Sequence, residues 1–445
     1  MVFPFVPKLI QIKLPFMNKM KLLLTLAIPV VVLSQDALAQ SSRLTARANW
    51  THNGAEFKRN DSTAYNYLSS SRGGDLNNLL KFDEANNWSY VMGDTQNNNM
   101  RWVQEFDAAN NLVSKVSQEW DMVFTMSWVN KFKYIYSYNS SNKLSAMVTQ
   151  HWDGTSAWIT DSKNAYSYNP ANQLSTDQFQ LWDGVSYVAD SNVTYYYDPS
   201  GNVINATKVK FVAGTPVFTT QVNHTFNGMN KLLTATHSTW NGASWDNTEM
   251  YTNTYDSSGN RTTQLHQTWD GAAFLNDMLH IYSNFAAGNN PQTAIAQTWD
   301  TTGSGSWVDK YKYAYTYNSN RQMTSATRQS NDISIGWTHT FGDTKANYYY
   351  GTFVSVKNVS NVGGNANLYP VPAESLLNID LNWNQSQAAT VTISDMQGRV
   401  VKSINIAAAA KQHASVSVAD FANGMYLVTI NGTNGQIVKQ IVVAH

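Results

Sequence analysis

Catalysis needs particular residue types at particular spacings, and residues 40–350 hold few of them. A glycosidase needs two placed carboxylates flanking the bond it cuts. The glutamates of this stretch are Glu56, Glu84, Glu105, Glu119 and Glu249 alone. Its aspartates fall mainly in recurring turns (Asp153, Asp183, Asp198, Asp256, Asp270), where bonding to their own backbone accounts for them. His237 and His266 each stand three residues before a tryptophan. Two strands apart, they would lie roughly 9–10 Å from each other, too far to share a metal ion. Aspartates at a loop edge suit Mg²⁺ or Ca²⁺, but no Asp-x-Asp ladder occurs. His-Glu-x-x-His, Gly-x-Ser-x-Gly and Gly-Lys-Ser/Thr are absent too. The chain has no cysteine, which removes thiolate nucleophiles, thiolate metal sites, disulfides and a lipoprotein anchor. The expectation is a non-enzymatic protein without catalytic residues, cofactor or bound metal.

Aromatic residues are the set with binding chemistry to offer. They recur in a fixed phrase: an opening aromatic, Asn or Asp, a polar turn, an alternating run, then a closing aromatic. The openings are Phe106, Tyr138, Tyr168, Tyr197, Phe226, Tyr255, Phe285 and Tyr317. The closings are Trp120, Trp152, Trp182, Phe211, Trp240, Trp269 and Trp299, each 14 residues after its opening (106 to 120, 138 to 152). The return to the next opening varies from 15 to 18 residues. A period of this size marks a repeat architecture. Exposed indole faces stack on flat apolar ligand faces such as sugar rings, and loops on a rigid scaffold commonly carry binding. Trp152, Trp182, Trp240, Trp269 and Trp299 are expected to form a buried ladder. Trp158, Trp245 and Trp307, just past the turns, are expected to be more exposed and are the candidate ligand-binding residues.

The elements that must position these rings are strands. Turns such as Asn169-Pro-Ala-Asn172 and Asp256-Ser-Ser-Gly-Asn260 follow the opening aromatics. Leu144 and Trp152 are eight apart, an even number that places them on one face of a strand. Tyr311, Tyr313, Tyr315 and Tyr317 alternate with Lys310, Lys312, Ala314 and Thr316, a strand pattern. Two strands per copy give an antiparallel meander of roughly sixteen strands. One face, lined with Trp, Tyr and Leu, exceeds the few hundred Å² of apolar patch that soluble monomers usually expose. The sheet must therefore curl into a barrel, a spiral or a double layer; the sequence leaves these open. Phe82-Asp-Glu-Ala-Asn-Asn87 is a degenerate copy, and Asn331 stands where the last copy would close on Trp. Decay at both ends leads us to expect a complete array. The phrase in residues 82–345 resembles YD (RHS-type) repeats, best at Tyr255-Asp-Ser-Ser-Gly-Asn-Arg261 and Tyr197-Asp-Pro-Ser-Gly-Asn202. That resemblance implies an extended, coiling β-sheet. Most copies depart from it in having Asn for Asp and in lacking Gly-Arg.

The 445-residue chain has room for two or more domains. Its net charge is zero and charged residues make up only 13%, so no basic stripe exists for a nucleic-acid partner. Asn18-Lys-Met-Lys21, the apolar Leu22–Leu33 run and Ala37-Leu-Ala39 read as a signal peptide over residues 1–39, cleaved after Ala39. Residues 1–16 look like a mis-assigned upstream start. The apolar run is too short to span a bilayer, so the expected mature protein has no integral membrane span. Residues 40–350 form the repeat domain, and 351–364 a linker.

After the linker, Val, Ile and Ala replace Trp. Short alternating runs separated by turns suggest about seven strands in about 80 residues, the pattern of a small immunoglobulin-like β-sandwich. Leu368-Tyr369-Pro370-Val371-Pro372-Ala373, then Asp395-Met-Gln-Gly398-Arg399, Gly424-Met-Tyr426 and the Lys439 strand occur in order. This set resembles the C-terminal sorting domain of the type IX secretion system of Bacteroidetes-type bacteria, over residues 365–445. The family usually has Asn where Val371 stands and often ends in a basic residue. The resemblance implies the type IX machinery as a partner and a secreted or outer-surface location after export to the periplasm. It also implies a tail that is often cleaved and a cargo often retained through lipopolysaccharide. The resulting expectation is an all-β repeat protein for binding or adhesion, with a glycan or surface protein as ligand. A structural shell component and an unrecognised secreted hydrolase are the alternatives.

Overall fold

A computed structural model describes residues 43–67, 80–91, 95–123, 125–302, 305–351, 364–395, 399–433 and 435–445. The expected signal peptide, with Ala37 and Ala39, lies outside them, as do most of the linker and Gly398 of the sorting motif. The described chain is all-β, in strands numbered β1 to β26 in chain order.

Residues 43–351 build a closed antiparallel barrel. From β1 (Arg43–His52), β2 (Phe57–Asn66), β3 (Glu84–Val91) and β4 (Thr95–Phe106) to β19 (Met323–Asp332), each strand pairs with the next. A short β20 (Gly336–Thr338) lies on β19 alone. β21 (Thr344–Gly351) pairs with both β19 and β1, from Arg43↔Gly351 to Thr51↔Thr344, and closes a ring of 20 strands. Among the described residues, closure leaves the ring of 20 strands without an open edge for another chain to extend.

Two kinds of turn join the strands, and the sequence explains both. After the opening aromatic, an Asn or Asp side chain accepts the backbone N–H four residues on, as Asn139 does from Lys143 and Asp198 from Asn202. The fourth turn residue takes positive φ, at Asn142, Asn172, Gly201, Asn230 and Gly259, a conformation that Asn and Gly tolerate. At the other end, the Asp153 carboxylate accepts the N–H groups of Thr155, Ser156 and Ala157, and Gly154 has φ 87°.

Register shifts recur along the pairs. One falls near the opening aromatic (Ser137/Tyr138, Ser167/Tyr168, Thr254/Tyr255) and one in mid-strand (Thr149/Gln150, His237/Ser238, His266/Gln267). Bulges bend and twist a strand, which a closing sheet needs. They also shift side chains between faces. Tyr134 and Tyr136 pair with Thr149 and Met147, whereas Trp152 pairs with Trp158 beside Gln150↔Thr160. The Trp pairs therefore lie on the face opposite the Tyr rows, which corrects the expectation of a single face carrying both. Even-spaced counting fails because each bulge adds a residue. On the Tyr face Ala85, Ala294 and Ala296 are wholly buried, while Ala314 on the other face is exposed. The Tyr face is the inner wall.

Residues 364–443 form a separate curled sheet of β22 (Gly364–Tyr369), β23 (Leu376–Asp395), β24 (Val400–Ser417), β25 (Gly424–Gly432) and β26 (Gly435–Val443). It has five strands where seven runs were expected. Two pairs of runs merge into the long β23 and β24, whose pairing breaks register between Asn382 and Gln387. β23 joins β22 through its first half and β25 through its second, so the sheet folds over its own core of Leu377, Ile379, Val391, Ile393, Val428 and Ile430.

Candidate functional site

Six of the seven closing turns end in an aromatic pair across the hairpin. Trp120–Trp128 and Trp152–Trp158 have ring centroids 5.2 Å apart, Trp182–Tyr187 4.9 Å, Trp240–Trp245 5.2 Å, Trp269–Phe274 4.8 Å and Trp299–Trp307 5.0 Å. All six are edge-to-face, the geometry that ring quadrupoles favour. The expected contrast between a buried ladder and an exposed row does not hold. Trp158, Trp245 and Trp307 are half-buried, and so are Trp152, Trp240 and Trp299, because each is the other's partner. The pairs line one rim on the outer wall, at intervals of two strands, or about 10 Å. Cations join the row: Arg101 lies 5.0 Å over Trp128 and Lys163 5.4 Å over Tyr187. In the remaining hairpin, the fourth in chain order, Phe211 faces Pro216, and Phe218 packs against Trp240 and Trp245 instead.

The inner wall carries the opening tyrosines. The hydroxyls of Tyr138, Tyr168, Tyr197, Tyr255 and Tyr317 donate to the carbonyls of Leu112, Leu144, Leu174, Leu232 and Pro291, at 2.7–3.0 Å. In these five copies the bond ties the repeat to the one before it, which explains why the opening ring is usually Tyr. Burial pushes Tyr136, Tyr166 and Tyr282 up to about 12.

The same wall gathers ionisable groups on β13 (Leu232–Trp240), β14 (Trp245–Tyr255), β15 (Arg261–Trp269) and β16 (Phe274–Ala286). Glu249 lies between His237 (3.7 Å) and His266 (3.1 Å), and the second nitrogen of His266 meets Asp277 at 2.7 Å. Tyr251 donates to Glu249 at 3.3 Å and stacks on His266 at 4.6 Å. Burial holds the His237 and His280 imidazoles below their usual range, and burial together with Glu249 raises Tyr251 to about 12. The sequence singled out both histidines and missed the carboxylate between them. A strand register was needed to place Glu249 opposite His237. Among the described residues no group of three or more His, Asp or Glu is arranged to hold a metal ion. No helix of the described residues is long and apolar enough to cross a membrane.

The sorting residues fall on the C-terminal sheet. Tyr369 ends β22, with Pro370, Pro372 and Ala373 in the following segment. Ala373 bonds Val442 and Ala444 through its backbone, pinning this segment to the last strand. The Asp395 carboxylate accepts from the Arg399 backbone N–H and, at 2.7 Å, from its guanidinium. Gly424 and Tyr426 lie on β25, and the Tyr426 hydroxyl donates to Ala422 at 2.8 Å. Lys439 is on β26.

Residues 367–444 match the model of the secretion system C-terminal sorting domain. The chain thus carries the tag of a type IX cargo and is a secreted or outer-surface protein exported by that system. No curated protein matches it. Among solved structures it is similar to a protein of unknown function from Bacteroides fragilis, 18% identical, TM-score 0.24, covering 27% of this chain and 86% of that one. A porin-like protein from Bacteroides uniformis is 14% identical, TM-score 0.29, over 57% of this chain and 96% of that one. The Photorhabdus luminescens Tc holotoxin pore is a weak neighbour at 12% identity, TM-score 0.30, over 85% of this chain and 19% of that one. These scores fall below 0.5, and nothing about function follows from them.

Proposed function

We propose that the exported barrel is a non-enzymatic binding protein whose outer rim takes an extended glycan. The observation that supports this is the row of half-buried aromatic pairs, repeated on one rim at two-strand intervals and interrupted once, at Phe211. An extended β-linked chain presents a similar ring face at each disaccharide, so one strip of pairs meets several repeats of one ligand. Each site is weak, and linked sites raise the effective affinity. The test is a glycan array probed with the purified barrel, wild type and Trp158→Ala/Trp307→Ala. Loss of signal in the double variant, with the barrel still folded, is expected. Equal signal in both removes the rim from binding. Turnover of a polysaccharide or peptide library by the wild type would overturn the non-enzymatic part.

The edge-to-face engagement of the rings favours a second reading, a structural shell component in which the pairs only clamp the hairpins. Ordered self-assembly without any ligand would select it.

A further inference from the structure

The sorting sheet is packed against the barrel. Ala46, Ala64 and Trp88, on the outer wall of β1–β3, share one buried cluster with Ala366, Leu368 and Val371. Trp88 is 1% exposed, unlike the half-buried rim tryptophans. Arg59 of β2 crosses the junction. Its guanidinium donates to the Pro372 carbonyl at 3.2 Å, pairs with Glu374 and lies 5.3 Å from the rings of both Trp50 and Tyr90. The Arg59 side chain is 5% exposed. A charge so buried is costly unless its partners stay in place, and here they come from both bodies.

We propose that the outer wall of β1–β3 is a docking surface for the chain's own sorting module, strong enough to hold it after the covalent connection is cut. The docked stretch runs from Ala366 to Glu374 and includes the first block of the sorting motif, Leu368 to Ala373. In the folded chain that block faces the cargo. The export machinery then meets the module from its free side, where Arg399 and Val400 are exposed. None of this depends on what the rim binds.

The test uses the full chain with a protease site placed within residues 352–363. After cleavage, size-exclusion chromatography at micromolar concentration reports whether module and barrel travel together. Co-elution is expected for the wild type. Glu374→Arg, on a half-exposed side chain that folding tolerates, and Arg59→Ala should each weaken the pair by at least about tenfold and release the module into its own peak. Immediate separation of the cut wild type would overturn the proposal. Co-elution of both variants as tightly as the wild type would overturn the role of the Arg59 latch.

Discussion

The barrel and the sorting module solve the same problem, how to stabilise β-sheet without disulfides, in opposite ways. Of the largest fully buried side chains among the described residues, only Leu44 and Trp88 belong to the barrel; Leu377, Ile379, Leu381, Val391, Ile393, Val416, Val418, Val428, Ile430 and Ile441 belong to the module. The module folds a few long strands over an aliphatic core. The barrel has almost no such core along its repeats. It distributes stability over turn carboxylates, tyrosine-to-carbonyl bonds and rim pairs, each small and each repeated. A repeat array behaves as a sum of neighbour terms, but closing it into a ring makes the whole depend on one seam.

The largest effect should come at that seam. Asp343 is fully buried and accepts from Arg328 (2.9 Å), the Ser330 backbone (3.0 Å) and the Thr340 backbone (2.8 Å), while its own carbonyl accepts from His52 N–H on β1. Asp343→Ala should cost about 3–5 kcal/mol, because it takes the carboxylate from Arg328, which keeps the Gly342 carbonyl and the Tyr311 ring but no opposite charge. Burial alone would raise the Asp343 carboxyl, but the donors of Thr340, Ser330 and Arg328 outweigh it and hold the carboxyl below its ordinary value. A depressed acid stabilises above its unfolded pKa, and that stability is lost as pH falls through the folded value. Acid unfolding should therefore open the barrel, and the variant's melting temperature should vary less with pH at the acid end. A mid-array substitution matching this loss would break the comparison.

Ile430→Ala comes next. It removes a fully buried side chain from the module core and should cost about 2–5 kcal/mol. Two-step thermal unfolding, with only the module's transition lowered, is the expected calorimetric result. Export should fall with it. Trp152→Ala should cost less, on the order of 1 kcal/mol for the lost ring pair, with no change in the module's transition. Equal losses from Ile430→Ala and Trp152→Ala would mean that the barrel hides a core like the module's.

The repeats were legible because turn chemistry and ring spacing are local. The Asn or Asp after each opening ring and the glycine after Asp153 announce their hairpins directly. What stayed illegible depends on contacts far apart in sequence. The pairing of Arg43 with Gly351 closes the ring, yet neither strand carries the full repeat phrase. The bulge that leaves Ser145 unpaired between Leu144 and Ala146 has no residue signature, so even-spaced counting put Trp and Tyr on one face. The merging of two runs into β23 was hidden by Asn384-Gln-Ser-Gln387, which reads as a turn and continues as strand. For the candidate site, ring types and positions were legible, but their mutual burial was not, since partnership across a hairpin halves the exposure of both.

The smallest expected effect probes the distributed half of the comparison most directly. Asp153 sits in an exposed turn, and its carboxyl is lowered to about 2 by the N–H groups of Thr155, Ala157 and Ser156. The sign follows as for Asp343: the turn's contribution is present above the ordinary carboxylate range and disappears as pH falls toward about 2. Asp153→Asn keeps an acceptor without the charge. It should lower the melting temperature slightly at neutral pH and not at all near pH 2, as a pH series of thermal melts would show. The turns at Asp183 and Asp270 repeat the first two of these bonds, to the N–H groups two and three residues on. Replacing all three should give close to three times the single shift, because the turns share no partners. A triple variant falling far beyond that sum would show that the turns act through the ring as a whole, and the contrast with the module's cooperative core would narrow.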